Sequence, residues 1–199
     1  MKKLVLCTIL LLIVLGTVGC SRKEIFITAD EISVDTLLAK ANGVLQVATV
    51  EDFNQSYYKL GELEEFVAKE IDSYNNIAGG EKITIDDVQL RSGRAIMLLS
   101  FTGMDQYTAF NEVTAAYFNG GIKDNPLVMP TTLINTKNDS LASTAEVIQN
   151  EKYKVLVINE PYDVIVEGKV KYYSENAVLI DENTVQSIDE DMTIIVFKP

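Results

Sequence analysis

The sequence predicts an α+β fold with antiparallel sheets, arranged as a ββα-ββα N-terminal half followed by a strand-rich C-terminal half. Three observations carry this. Two glycine turns, Asn42-Gly43 and Ser92-Gly93, each sit between short apolar runs, as in a β-hairpin. Each hairpin is followed by apolar residues at helical spacing. Beyond residue 122 the chain offers mainly short runs rich in Val, Ile and Tyr, which suit strands.

In chain order, residues 21–34 show little pattern beyond Ile25-Phe26-Ile27 and are expected to act as a tether. Residues 37–41 and 44–50 read as strands flanking the first turn. Leu60, Leu63, Phe66, Val67, Ile71 and Tyr74 then recur on one helical face, with Glu62, Glu64, Glu65, Lys69 and Asp72 between them. Glu65 and Lys69 stand four apart in the favourable order. Asn75, Asn76 and Gly79-Gly80 close the helix.

The second unit has strands over 82–90 and 94–101, then a helix over 104–118. Thr102 and Asp105 hold the positions of an N-cap and its reciprocal acid. The turn glycines Gly43 and Gly93 are 50 residues apart, but too few residues match between the halves to indicate a duplication. After Asn119-Gly120-Gly121 and Asn125-Pro126, residues 127–134 are expected to be extended, with Pro130 pushing them to a sheet edge. A short helix over 140–150, capped by Ser140, precedes strands at 153–158, 164–173, 177–180 and 193–197.

Composition narrows the function. The 199 residues carry 17 Lys and Arg against 29 Asp and Glu, a net charge of -12, with no His and no Trp. Without imidazole there is no Ser-His-Asp or Cys-His set and no His ligand for zinc, copper or iron. So acidic a chain, with a pI near 4.4, is not expected to bind nucleic acid.

The first twenty residues read as an address. Met1-Lys2-Lys3 is followed by a 12-residue apolar run from Leu4 to Leu15, broken only by Thr8. That length suits a signal-peptide core and falls short of the about 20 residues that span a bilayer. Gly16-Thr17-Val18-Gly19-Cys20 follows and resembles the lipobox of bacterial lipoproteins, although Thr17 stands where Leu is usual. In that family the Cys thiol carries diacylglycerol and the preceding peptide is removed. Cleavage there would discard Cys7, lipidate Cys20, and leave 180 residues with 15 basic against 29 acidic side chains, a net charge of -14. The folded part would then have neither a free thiol nor a disulfide.

Motifs for catalysis do not assemble. Ser56 and Lys59 match Ser-x-x-Lys, but 10 Ser and 14 Lys in 199 residues produce roughly 0.7 such matches by chance. Its companion Ser-Asp-Asn and Lys-Thr-Gly are absent. Gly168-Lys169 lacks the rest of a phosphate loop, and no Gly-x-Gly-x-x-Gly occurs. Asp181-Glu182-Asn183 with Asp189-Glu190-Asp191 is the densest acidic cluster; its spacing fits no calcium loop, and it reads as a solvated turn. Three doublets are candidate contact aromatics: Tyr57 and Tyr58, Tyr117 and Phe118, Tyr172 and Tyr173. In each, one ring is expected to enter the core and the other to meet solvent, since strand neighbours point opposite ways.

The lipobox together with Thr49-Val50-Glu51-Asp52-Phe53, Tyr57-Tyr58, Phe110-Asn111, Tyr173-Ser174-Glu175-Asn176 and Ile194-Ile195-Val196-Phe197-Lys198 resembles a group of small lipoproteins of Gram-positive anaerobic bacteria. The resemblance covers most of the mature chain. It implies an address and a shared fold, with no activity and no ligand residues to carry over.

The sequence therefore leads to four segments: a signal peptide at 1–19, a lipidated Cys and tether at 20–34, the ββα-ββα region at 35–122, and a strand-rich region at 123–199 sharing its core. The expected protein is a non-catalytic binding or envelope-interaction module on the extracytoplasmic face of the cell membrane. Its only attached group is diacylglycerol on Cys20; neither metal nor cofactor is expected. Its partners are the membrane, through the anchor, and an envelope protein or small ligand. A small envelope hydrolase using a carboxylate pair and a solute-binding lipoprotein are the alternatives.

Overall fold

The central strands of this protein alternate their side chains between two apolar surfaces rather than between core and water, and that habit sets its architecture. The computed structural model describes residues 25–122, 127–189 and 191–199. The expected signal peptide, Cys20 and the start of the tether lie outside the described residues, as do Asn125-Pro126 and Glu190. Among those described, three helices and thirteen strands form two largely antiparallel sheets, a mixed α+β arrangement.

The first half supplies β1 (Thr36–Ala39), β2 (Leu45–Asp52), α1 (Leu60–Ala78), β3 (Ile83–Arg91), β4 (Arg94–Phe101), α2 (Met104–Asn111) and β5 (Ala116–Asn119). The second supplies β6 (Thr132–Asn135), β7 (Leu141–Ser143), α3 (Thr144–Val147), β8 (Lys154–Ile158), β9 (Asp163–Val166), β10 (Lys169–Tyr173), β11 (Ala177–Leu179), β12 (Thr184–Ser187) and β13 (Thr193–Lys198). A seven-stranded sheet runs β11-β12-β9-β1-β2-β4-β3, and a six-stranded sheet runs β5-β8-β13-β10-β6-β7. The β1–β9 pair is parallel.

Both hairpins form at the turns that glycine allows. Ser92 and Gly93 have φ of 55° and 78°, the paired left-handed conformation of a two-residue hairpin. Helix α1 stops at Gly79, whose φ of 74° turns its N–H back to the Asn75 carbonyl. Asn75 also fastens the helix to the next strand. Its Nδ2 donates to the Ile83 carbonyl at 2.8 Å, and its Oδ1 accepts the Lys82 and Ile83 N–H groups at 2.8 and 3.0 Å.

Between the sheets lies one apolar cluster fed by both halves. Leu37, Leu45, Phe101 and Tyr107 meet Leu156, Val164, Ile195 and Phe197 there, under Val67 and Ile71 of α1. Neighbouring strand residues face away. Leu38, Ala48, Ile96 and Leu98 form the outer surface of the larger sheet. Val155, Val157, Ile194 and Val196 do the same for the smaller sheet, beneath Val147 and Ile148.

This second apolar surface overturns the expectation of a tether reaching residue 34. Ile27, Ala29 and Ile32 are buried on the outside of the larger sheet. Such a face is not stable against water, and two buried isoleucines stabilise by roughly 1.5–3 kcal/mol each. Polar contacts hold the segment: the Ile27 N–H donates to Gln46 Oε1 at 3.0 Å, and the Arg91 guanidinium donates to the Asp30 and Ile32 carbonyls.

Several predicted elements end elsewhere. The helix expected over 104–118 stops at Asn111, because Glu112 turns left-handed at φ 57°. Tyr117 and Phe118 then lie on β5, paired with β8, where aromatic residues fit a pleated surface better than a helix. Thr102 does not cap α2; Gly103 takes that place, without a side-chain bond. Ser140 caps nothing, since 141–143 pair as β7 and the following helix is a single turn. The extended run at 127–134 reduces to β6, which lies inside its sheet, and Pro130 precedes it. The single strand expected over 164–173 is two strands in different sheets, parted at Glu167-Gly168. Gly168 makes that corner at φ 153° with its Cα against the Lys198 carbonyl; a Cβ would stand 2.4 Å from that oxygen.

Candidate functional site

The three aromatic doublets have separate fates. Tyr57 and Tyr58 both sit exposed in the loop before α1, with ring centroids 4.8 Å apart, and Phe53 stacks on Tyr58 at 4.9 Å. Neither ring enters the core, because the loop is not a strand and imposes no alternation. Tyr117 and Phe118 straddle the smaller sheet, Tyr117 packing toward the central cluster and Phe118 toward the outer one. Tyr173 and Tyr172 repeat that division. In those two doublets both rings are part-buried, so neither presents a pair of exposed rings, although Tyr172 borders a cavity described below. The Tyr117 hydroxyl donates to the Lys40 and Ala41 carbonyls at 3.1 and 3.2 Å. Burial, then the nearby Glu167 carboxylate, pushes that hydroxyl's pKa upward.

The acidic cluster is used within its own turns. Asp181 Oδ1 accepts the Asn183 N–H at 2.8 Å, and Asp189 Oδ1 accepts the Asp191 N–H at 3.0 Å. Among the described residues no three His, Cys, Asp or Glu are placed to hold a metal.

A buried polar group lies between the sheets. The Tyr107 hydroxyl bonds to Glu160 and lies 3.4 Å from that of Tyr162. Burial foremost raises both phenols, that of Tyr162 up to about 12. Glu160 is thus committed to a tyrosine, and Asp35 to the Val50 N–H at 2.7 Å.

Two cavities meet beside the ends of β10 and β13, and both are bordered by Lys171 and Lys198. The larger, about 590 Å³, mixes Glu167 and Glu182 with Lys169 and includes Ile25. Its carboxylates are engaged: Glu167 accepts the Ala41 N–H at 2.8 Å, and Glu182 accepts Lys169 Nζ at 2.6 Å.

The smaller, about 270 Å³, has a different lining: Lys137, Lys152, Lys171 and Lys198, with Asn135, Asn150, Tyr153 and Tyr172. It contains no carboxylate. Four separate pieces of chain build it. The β6–β7 turn brings Asn135 and Lys137, and the turn before β8 brings Asn150, Lys152 and Tyr153. In both, the Asn Oδ1 accepts the N–H two residues on, at 3.0 Å, the local bond that makes Asn a turn residue. The third piece is a bulge in β10, where the register with β13 jumps between Val170 and Tyr172 so that Lys171 has no partner on β13. Such a bulge re-aims its side chain. The fourth is the end of β13, where Lys198 lies directly opposite Lys169. Glu182 neutralises Lys169, whereas Lys137, Lys152, Lys171 and Lys198 make no ion pair among the described residues. Burial, then Tyr172, raises the pKa of the Tyr153 hydroxyl above its ordinary value.

Sequence reasoning missed this cavity, because its lysines are 15 to 27 residues apart along the chain. Its faint signal was Gly168 inside an apparent strand, a mark of a corner or bulge.

The fold and site thus define a two-sheet α+β protein with a basic, donor-lined cavity on an acidic chain. No family model, no curated protein and no solved structure matches it.

Proposed function

We propose that this chain is a lipoprotein anchored through diacylglycerol on Cys20 to the extracytoplasmic face of the cell membrane, serving there as a non-catalytic module that binds a small envelope ligand. The observation that carries the reading is the lysine-lined cavity, with no carboxylate in its lining, in a chain where acids outnumber bases 29 to 17. Its neighbour is bordered by Ile25, five residues after Cys20. Five extended residues reach at most about 18 Å, so an anchored Cys20 would keep both cavities near the headgroups. The central cluster joins the two halves of the chain, an arrangement that does not favour the hinged lobes of a solute-binding protein.

Growth of expressing cells with radiolabelled palmitate tests the anchor. The full chain should label and partition with membranes, and Cys20→Ser should do neither. Label on Cys20→Ser, or none on the native chain, defeats the reading.

A further inference from the structure

We infer that the cavity bounded by Lys137, Lys152, Lys171 and Lys198 is a binding site for a phosphate-bearing anion. This names the ligand class of the binding module proposed above, but the geometry stands without the anchor. Three features converge on it. The lining offers ammonium, amide and phenol donors and no anionic acceptor, so an anion entering it meets attraction from every charged wall. Lys169 and Lys198 face each other across β10 and β13, and like charges placed so destabilise a sheet. Glu182 relieves one of them at 2.6 Å, and a bound anion would relieve the other. Finally, the β10 bulge gives Lys171 a direction the regular ladder would not.

About 270 Å³ accommodates a phosphate with a small polar substituent and is below the usual size of drug-like sites. Tyr153 and Tyr172, with ring centroids 6.0 Å apart, close one wall and would pack against the carbon part of such a substituent. A phospholipid headgroup and a free phosphate ester share this chemistry.

The test uses the full chain in neutral detergent, titrated calorimetrically with glycerol 3-phosphate. It is then mixed with micelles containing either phosphatidylglycerol or only phosphatidylcholine. Glycerol 3-phosphate should bind, and Lys137→Gln with Lys171→Gln should weaken it by about tenfold or more. Lys59→Gln with Lys69→Gln, which removes the same charge from α1, should leave the affinity within about twofold. Binding of the soluble ester identifies a free phosphate as sufficient; binding only of phosphatidylglycerol micelles identifies the headgroup on an assembled lipid surface. Binding of neither overturns the inference, as does equal weakening by both double variants. Matching melting temperatures for the two variants separate a lost site from a lost fold. Failure here leaves the palmitate result untouched, and the reverse also holds.

Discussion

Gly120 follows the last residue of β5, and its backbone is pressed between two carbonyls of the turn that enters β8. Its N–H donates to the Tyr153 carbonyl at 2.8 Å. A Cβ at this position would lie 2.2 Å from the Asn150 oxygen and 2.6 Å from the Tyr153 oxygen. Both obstacles are main chain, so no rotamer change relieves them. Ordinary carbon–oxygen contact needs above 3 Å, and the turn must therefore retreat by most of an ångström. Overpacking of this kind costs typically 1–3 kcal/mol, and loss of the N–H bond adds about 1 kcal/mol. Gly120→Ala should thus destabilise by about 2–4 kcal/mol. With a urea m-value of about 2 kcal/mol/M, the midpoint should fall by about 1–2 M in unfolding followed by far-ultraviolet circular dichroism. Gly61→Ala is the control: no atom lies within 4 Å of its Cβ, and alanine in α1 should leave the midpoint unchanged or raise it by up to about 0.5 M. A Gly120→Ala midpoint within about 0.3 M of the native value would refute the reasoning, and so would an equal fall in both variants.

Further outcomes follow from burial. Ile32→Ala should cost about 2–5 kcal/mol, because Ile32 is buried against the larger sheet; a free tether would show no change in the urea midpoint. Tyr107 and Tyr162 titrate above their ordinary value of 10.0, Tyr162 at about 12. Raised phenols contribute stability that is intact below pH 10 and lost as the pH climbs toward 12, at about 1.4 kcal/mol per pH unit for each. Absorbance at 295 nm should show fewer than the nine tyrosines ionising near pH 10, with the rest appearing only as the fold melts. Reversible ionisation of all nine near pH 10 would contradict the buried cluster.

What could be read in the sequence was local. Both hairpins were legible because each tight turn needs left-handed backbone, and Gly43 and Gly93 supply it. Helix α1 was legible from Leu63, Val67 and Ile71, although Phe66 on the same apparent stripe is 61% exposed. Period alone marks a face without showing where its covering layer ends. Strand β12, Thr184–Ser187, was missed because its pattern is short and follows an acidic turn. The division of 164–173 was missed because each part alternates correctly; only the corner at Gly168, set by the approach of Lys198, assigns them to different sheets. The expected tether failed for a related reason. Ile25-Phe26-Ile27 looks too short to fold, and the partner surface of Ile27, including Leu98 and Ile96, is distant in sequence.

The same distinction between sum and neighbourhood governs charge. A net charge of -12 describes what a large polyanion would meet, since a duplex lies against tens of ångströms of surface and gathers the acidic majority. A single phosphate is screened beyond about 8 Å at physiological salt and responds only to the groups around it. At the β10 bulge those groups are Lys137, Lys152, Lys171 and Lys198. The acidity from which no nucleic-acid binding is expected is therefore compatible with a small phosphate ligand: the surrounding field would repel long polyanions, while the proposed site would take one charge-dense group. Raising the salt should consequently weaken glycerol 3-phosphate binding only in proportion to the few lysines that touch it.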